Sequence, residues 1–184
     1  MANLPSQAQA VLHFWFEELK PEQRFAKDDA LDLRIREQFL PTWQAAAAGE
    51  LWSWRESMQG RLAEIIVLDQ FSRNLWRGDA RSFAQDAMAL VLSQEAQVLP
   101  EFQQLSETQC QFFLLPMMHS ESIVIQDASL PLFERYCNEQ TLGFAIAHRD
   151  IVAKFGRFPH RNAVLQRENT PEETEFLQQP NSSF

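Results

Sequence analysis

Residues 61–76 read Arg-Leu-Ala-Glu-Ile-Ile-Val-Leu-Asp-Gln-Phe-Ser-Arg-Asn-Leu-Trp, a run that is apolar on nearly every side of a helical wheel. A helix of this kind cannot lie on a surface, so the rest of the chain has to enclose it. Within the run, Asp69, Arg73 and Arg77 recur every four residues and share one face, close enough to pair. Charges on so buried a helix form either an internal ion-pair network or part of a site. In the second case Asp69 orients Arg73, while Arg73, Asn74 and Arg77 offer donors to a ligand.

The remaining sequence supplies the enclosing helices. Ser6 with Gln9 makes a capping box ahead of Leu12, Trp15, Phe16 and Leu19, and Asp28 or Asp29 starts a second helix through Leu31, Ile35 and Phe39 that Pro41 is expected to kink or interrupt. Ser82 with Gln85 is expected to cap a helix reaching about Gln97. Ser106 with Gln109 opens another, which Pro116 should disturb. Residues 122–138 read as mainly helical with a break near Pro131, and 140–154 as a helix stopped by Gly156. Thr170-Pro171-Glu172-Glu173 is a capping box with Pro at the first helical position. No stretch alternates as a strand does, and five glycines in 184 residues are too few for a turn-rich all-β fold. The expectation is an all-α chain of about eight helices forming one domain over residues 1–184, without a sequence repeat near ~34 residues.

Charge narrows the partners. At a net charge of −9, a nonspecific grip on nucleic acid or on an anionic membrane is not expected. No apolar run approaches the ~18 residues of a membrane span, and the start Met-Ala-Asn-Leu-Pro-Ser lacks the basic opening of a secretory signal. Cys110 and Cys137 have neither disulfide-framework nor zinc-site spacing. A cytoplasmic protein with two reduced thiols is expected.

Against this acidic background the stretch from His148 to Arg167 is basic, and its centre reads Phe-Gly-Arg-Phe-Pro-His-Arg-Asn over residues 155–162. Gly and Pro fix the backbone there, while Arg157, His160, Arg161 and Asn162 supply donors suited to a carboxylate or phosphate. The same groups could instead cap helix carbonyls and hold the C-terminal segment down. His148 shares a helical face with Ile151, Val152 and Phe155, which suits a buried imidazole, and it stands beside these ligand-side candidates. His119-Ser120-Glu121 follows a Pro-broken helix and offers an acid/base pair. No second histidine sits four residues away, so no metal is expected, nor any cofactor. A Gly-rich phosphate loop, a Gly-x-Ser-x-Gly elbow and a His-Glu-x-x-His helix are all missing.

Three segments, Leu68-Asp69-Gln70-Phe71-Ser72-Arg73-Asn74, Pro116-Met117-Met118-His119-Ser120-Glu121 and Phe155-Gly156-Arg157-Phe158-Pro159-His160-Arg161-Asn162, closely resemble the bacterial family catalogued as domain of unknown function 924. The likeness spans nearly the whole chain and includes Val11-Leu12-His13-Phe14-Trp15-Phe16. It implies antiparallel helix pairs in a tetratricopeptide-like, right-handed array, and no established activity. Two positions depart from the family pattern. Ser72 stands where Pro is usual, and Gln166 where Gly is usual, which questions a tight turn after Leu165.

Two functional expectations follow. In one, the polar segments converge between helices on a small anionic molecule; His119 or His160 would move protons, Glu121 would orient or act as base, and Arg73, Arg157 and Arg161 would stabilise negative charge. In the other, the chain is a noncatalytic module that binds a peptide or protein, and the polar motifs are internal struts.

Overall fold

A computed structural model describes residues 4–180 and residue 182. Residues 1–3, on which the reading of the N-terminal start partly rests, lie outside the described residues. The described residues form α1 (Ser6–His13), α2 (Asp29–Ala47), α3 (Met58–Ile66), α4 (Ser72–Leu75), α5 (Asp86–Gln97), α6 (Glu107–Met118), α7 (Ile123–Tyr136), α8 (Glu139–Phe155) and α9 (Pro171–Phe176), with no strand. A π-helical turn at Val67–Phe71 joins α3 to α4 without a break, so these nine segments make eight rods, and a second π-helical turn at Phe14–Glu18 extends α1.

The α3–α4 rod is enclosed, as its composition requires. Leu62, Ala63, Ile65, Ile66, Val67, Leu68 and Phe71 are completely buried. Helix α1 packs on α3, α2 on α4 and the π turn, and α5 and α6 close the other side. Rings lock the two π turns together, with Phe14 and Trp15 meeting Phe71 edge-on at 6.2 and 5.7 Å. Helices α5 to α8 then pack in chain order, each against the next. Short connections make these neighbours antiparallel; Asn138, at the corner between α7 and α8, donates to Glu107 at the start of α6 at 2.7 Å. Such side-by-side pairs fit the array that the resemblance implies. A small separate cluster of Ile151, Val152 and Phe158, with Phe155 and Phe176 against it, lies under the loop that follows α8.

Several boundaries differ from the sequence expectation. Pro41 and Pro131 lie inside unbroken helices, and α6 passes Pro116 to end at Met118. A proline removes one ladder hydrogen bond, and the packing of both flanking turns outweighs that loss. Ser6 caps nothing; Pro5 precedes α1, and Gln9 donates to the Leu4 carbonyl instead. Ser82 belongs to a 3-10 turn, Ala80–Ser82, that Asp79 caps, which delays α5 to Asp86. The Ser106 and Thr170 capping boxes form as expected, and Gly156 ends α8 at φ 69°. Among the described residues no helix is long and apolar enough to cross a membrane.

Candidate functional site

Asp69 sits in the π turn with its carboxylate fully buried. Oδ1 lies 2.7 Å from His119 Nδ1 and 3.1 Å from Arg73 Nη1, and Oδ2 accepts from Gln70 Nε2 at 2.6 Å. Arg73 Nη1 also donates to the Asp69 carbonyl at 2.7 Å. Burial alone would raise the pKa of this carboxyl, but Arg73, His119 and Gln70 outweigh it and hold Asp69 well below the usual carboxylate range. Burial, reinforced by Arg73, pushes His119 down despite the Asp69 charge. An ionised carboxylate can only accept, which assigns the imidazole proton to Nδ1 and leaves the Nε2 lone pair for other use.

That lone pair has somewhere to act. His119 lines a cleft of about 390 Å³ whose wall includes Ala84, Ala87, Leu90, Pro116 and Leu165 and whose polar groups are Asp86, Ser120, Glu121 and Arg161. Arg161 is buried, its guanidinium carbon 4.4 Å from the Phe83 ring centre and 4.7 Å from that of Phe158. Its Nη2 donates to the His119 carbonyl at 3.0 Å, and its Nη1 to Asp86 at 3.1 Å. Arg73 reaches the same Asp86 carboxylate. A larger hollow of about 560 Å³ opens beside Leu12, Phe16 and Gln109, but Arg24 there is committed to the carbonyls of Trp15, Phe16 and Leu19. Among the described residues no three metal-ligating side chains converge.

The other candidates have different places. Glu121 is an anchor: its Oε1 accepts from the Phe158 amide at 2.8 Å, and Arg167 grips both oxygens at 2.7 and 2.8 Å. Burial would raise its pKa, but Arg167 and that amide bring it below the usual range. Arg157 turns away to Glu173, at 2.7 and 2.8 Å, and does not line the cleft. Asn162, fully buried, donates to Asn169 at 2.8 Å and to Glu173 at 3.2 Å. His148 donates from Nδ1 to the Phe144 carbonyl at 2.7 Å, and its ring centre is 6.3 Å from that of His119. Burial brings His148 down to about 3. It likewise brings His160, which packs on Phe158 and does not line the cleft, down to about 4.

Asn74 and Arg77 are on another side of the rod altogether. Asn74 donates to Asp32 of α2 at 2.7 Å, and Arg77 takes both oxygens of Asp32 at 2.6 and 2.8 Å. The four-residue spacing holds for Asp69 and Arg73 but fails for Arg77, because α4 ends at Leu75 and Arg77 lies in the turn beyond. The structure therefore joins Asp69, Arg73, His119 and Arg161 in one network, of which His119 and Arg161, with Glu121, line the cleft while Asp69 and Arg73 stand behind it. It adds Asp86 and Phe83, which nothing in the sequence marked, and gives Phe158, present in the loop motif without a role of its own, a place against Arg161. Arg167 belonged to the basic stretch but was not singled out.

Bacterial protein of unknown function (DUF924) is the family description that matches, over residues 11–181. The chain belongs to this family. A solved structure of a protein of unknown function from Agrobacterium tumefaciens superposes on this DUF924 chain with a TM-score of 0.90 at 39% identity, covering 96% of this chain and 99% of the other. No protein with a curated description matches. At Ser72 and Gln166, the two positions where the sequence resemblance leads one to expect Pro and Gly, the structure shows what each residue does. Ser72 accepts from Trp43 Nε1 at 2.7 Å and donates to the Leu68 carbonyl, tying α4 to α2. Gln166 makes the turn after Leu165 despite its side chain, at φ 55°.

Proposed function

We propose that the cleft binds a small anionic molecule with an apolar body and that His119 moves a proton on it. One observation carries the reading: a buried, ionised Asp69 fixes His119 through Nδ1, so Nε2 is the ring nitrogen left for the cleft. A neutral, oriented imidazole is a general base at neutral pH. Hydrolysis or group transfer on a carboxylate or phosphate ester suits the arrangement. His119 Nε2 takes the proton from an attacking water or hydroxyl as its oxygen bonds to the carbonyl carbon or phosphorus. Arg161 faces the negative charge that develops, and His119 returns the proton to the departing oxygen as its bond breaks.

The test is turnover of a panel of small carboxylate and phosphate esters, with imidazole tautomer and titration read by NMR. His119→Gln should lose about 100-fold or more in turnover, and Asp69→Asn on the order of 100-fold, together with a shift of the proton away from Nδ1. Absence of turnover with every ester, or an Asp69→Asn protein that keeps both rate and tautomer, would sink the reading. A second reading, a noncatalytic peptide- or protein-binding module, draws on the close pairs Arg157–Glu173, Arg167–Glu121 and Arg77–Asp32, which serve as struts. It leaves the Asp69–His119 arrangement without a role.

A further inference from the structure

The carboxylate that bridges Arg161 in the cleft wall and Arg73 behind it belongs to the protein itself. Asp86 accepts from Arg73 Nη1 at 3.1 Å, from Arg73 Nη2 at 3.2 Å and from Arg161 Nη1 at 3.1 Å. All three exceed the ~2.7–2.9 Å of charge-assisted hydrogen bonds. Two-pronged pairs elsewhere in the chain do not: Arg77–Asp32 spans 2.6 and 2.8 Å, Arg157–Glu173 2.7 and 2.8 Å, Arg167–Glu121 2.7 and 2.8 Å, and Arg55–Glu64 2.7 Å twice. Two guanidiniums hold Asp86, and neither holds it closely.

Both arginines are fixed without it. Arg73 is anchored on the Asp69 carbonyl at 2.7 Å, and Arg161 on the His119 carbonyl at 3.0 Å between the rings of Phe83 and Phe158. Asp86 is the first residue of α5, where the helix dipole favours a carboxylate whether or not it reaches across to the arginines. It also lines the cleft, so side-chain rotation is enough to move it aside.

We propose that Asp86 is a built-in occupant of the anion site, and that a ligand carboxylate displaces it from between Arg73 and Arg161. This rests on the anion-binding reading given above and names its ligand class. Oδ1 of Asp86 serves Arg73, and Oδ2 serves Arg73 and Arg161 together, a pattern that a ligand carboxylate, with the same two oxygens and the same single charge, reproduces directly. The ligand is a small monocarboxylic acid whose apolar part lies on Ala87, Leu90 and Leu165, within reach of His119. Until a ligand arrives, Asp86 keeps the two positive charges compensated and lowers affinity for weaker anions.

Butyrate and inorganic phosphate are the probes, titrated by calorimetry into the wild type, Asp86→Asn, Asp86→Ala and Asp127→Asn. Both Asp86 variants should bind butyrate about tenfold or more tighter than the wild type, because the competing charge is gone. Asp127→Asn, which removes the same charge from an exposed pair with Arg149, should stay within about twofold. Folded Asp86 variants that bind butyrate no better than a wild type that binds it would overturn the displacement and leave the anion-binding reading standing. Phosphate binding tighter than butyrate in Asp86→Asn would overturn the carboxylate assignment. Binding of neither probe by any variant sinks the displacement and the anion-binding reading together. Should both Asp86 variants fail to fold, the wild type decides: its Asp86 carboxylate carbon signal moves toward that of a free aspartate as butyrate saturates, and an unmoved signal overturns the proposal.

Discussion

Gln166 is the one non-glycine residue with positive φ among the described residues, at 55°. The turn it makes, closed by the Arg167 amide on the Asn162 carbonyl at 2.8 Å, carries the Arg167 guanidinium back to Glu121. A side chain in the left-handed region costs about 1–2 kcal/mol, and glycine would relieve that while loosening the unfolded chain by about 0.4–1 kcal/mol. Gln166→Gly should therefore stabilise the protein by about 0.5–1 kcal/mol, seen as a higher urea midpoint at unchanged slope. A midpoint that stays or falls would mean that the turn stores no such strain. The same scale shows what could be read from residues alone. Asp69 and Arg73 pair because both lie on one rod, four residues apart, and their pairing was legible. Asp86 was not, because its partners lie 13 and 75 residues away and only tertiary packing unites them.

Among elements, the entry to α3 is a close fit. A Cβ on Gly60 would stand 1.9 Å from the Trp54 carbonyl oxygen, in the 3-10 turn Trp52–Glu56 that leads into the helix. That turn cannot retreat easily, because Arg55 within it grips the buried Glu64 of α3 with two bonds of 2.7 Å. Alanine is the better helix former by about 1 kcal/mol, yet the clash dominates, so Gly60→Ala should destabilise by about 3 kcal/mol net. Thermal unfolding should fall by roughly 6–12 °C, and an unchanged or higher Tm would refute the close approach. Helix identity was legible wherever a cap or an apolar stripe set a phase, as at Ser106, Thr170 and Gly156. The π turn holding Asp69 was not legible: the rod is apolar on every side, so its pattern has no phase and an extra residue per turn leaves no trace.

For the whole molecule, the buried imidazoles set the acid limit. His148 and His160 titrate at about 3 and about 4 in the folded protein, against ~6.5 when unfolded. Between roughly pH 6.5 and 4 the unfolded chain binds protons that the folded chain refuses, so stability is complete above this window and declines as pH falls through it. Each imidazole contributes about 1.4 kcal/mol per pH unit, so the pair should remove on the order of 3–4 kcal/mol between pH 6.5 and 5, a large share of the ~5–15 kcal/mol typical of a domain. Asp69, Glu121 and Glu173, all depressed, lose their contributions only as pH falls below the ordinary carboxylate range, so they leave the slope in this window to the histidines. Urea unfolding at pH 7, 6 and 5 measures that slope, and His148→Gln, which keeps a donor for the Phe144 carbonyl, should remove the His148 share of it and leave those of His160 and of His119, which burial also depresses. A midpoint flat from pH 7 to 5 would mean that both rings accept protons without leaving the fold, and the core around Phe158 would then have to admit water at mild acidity.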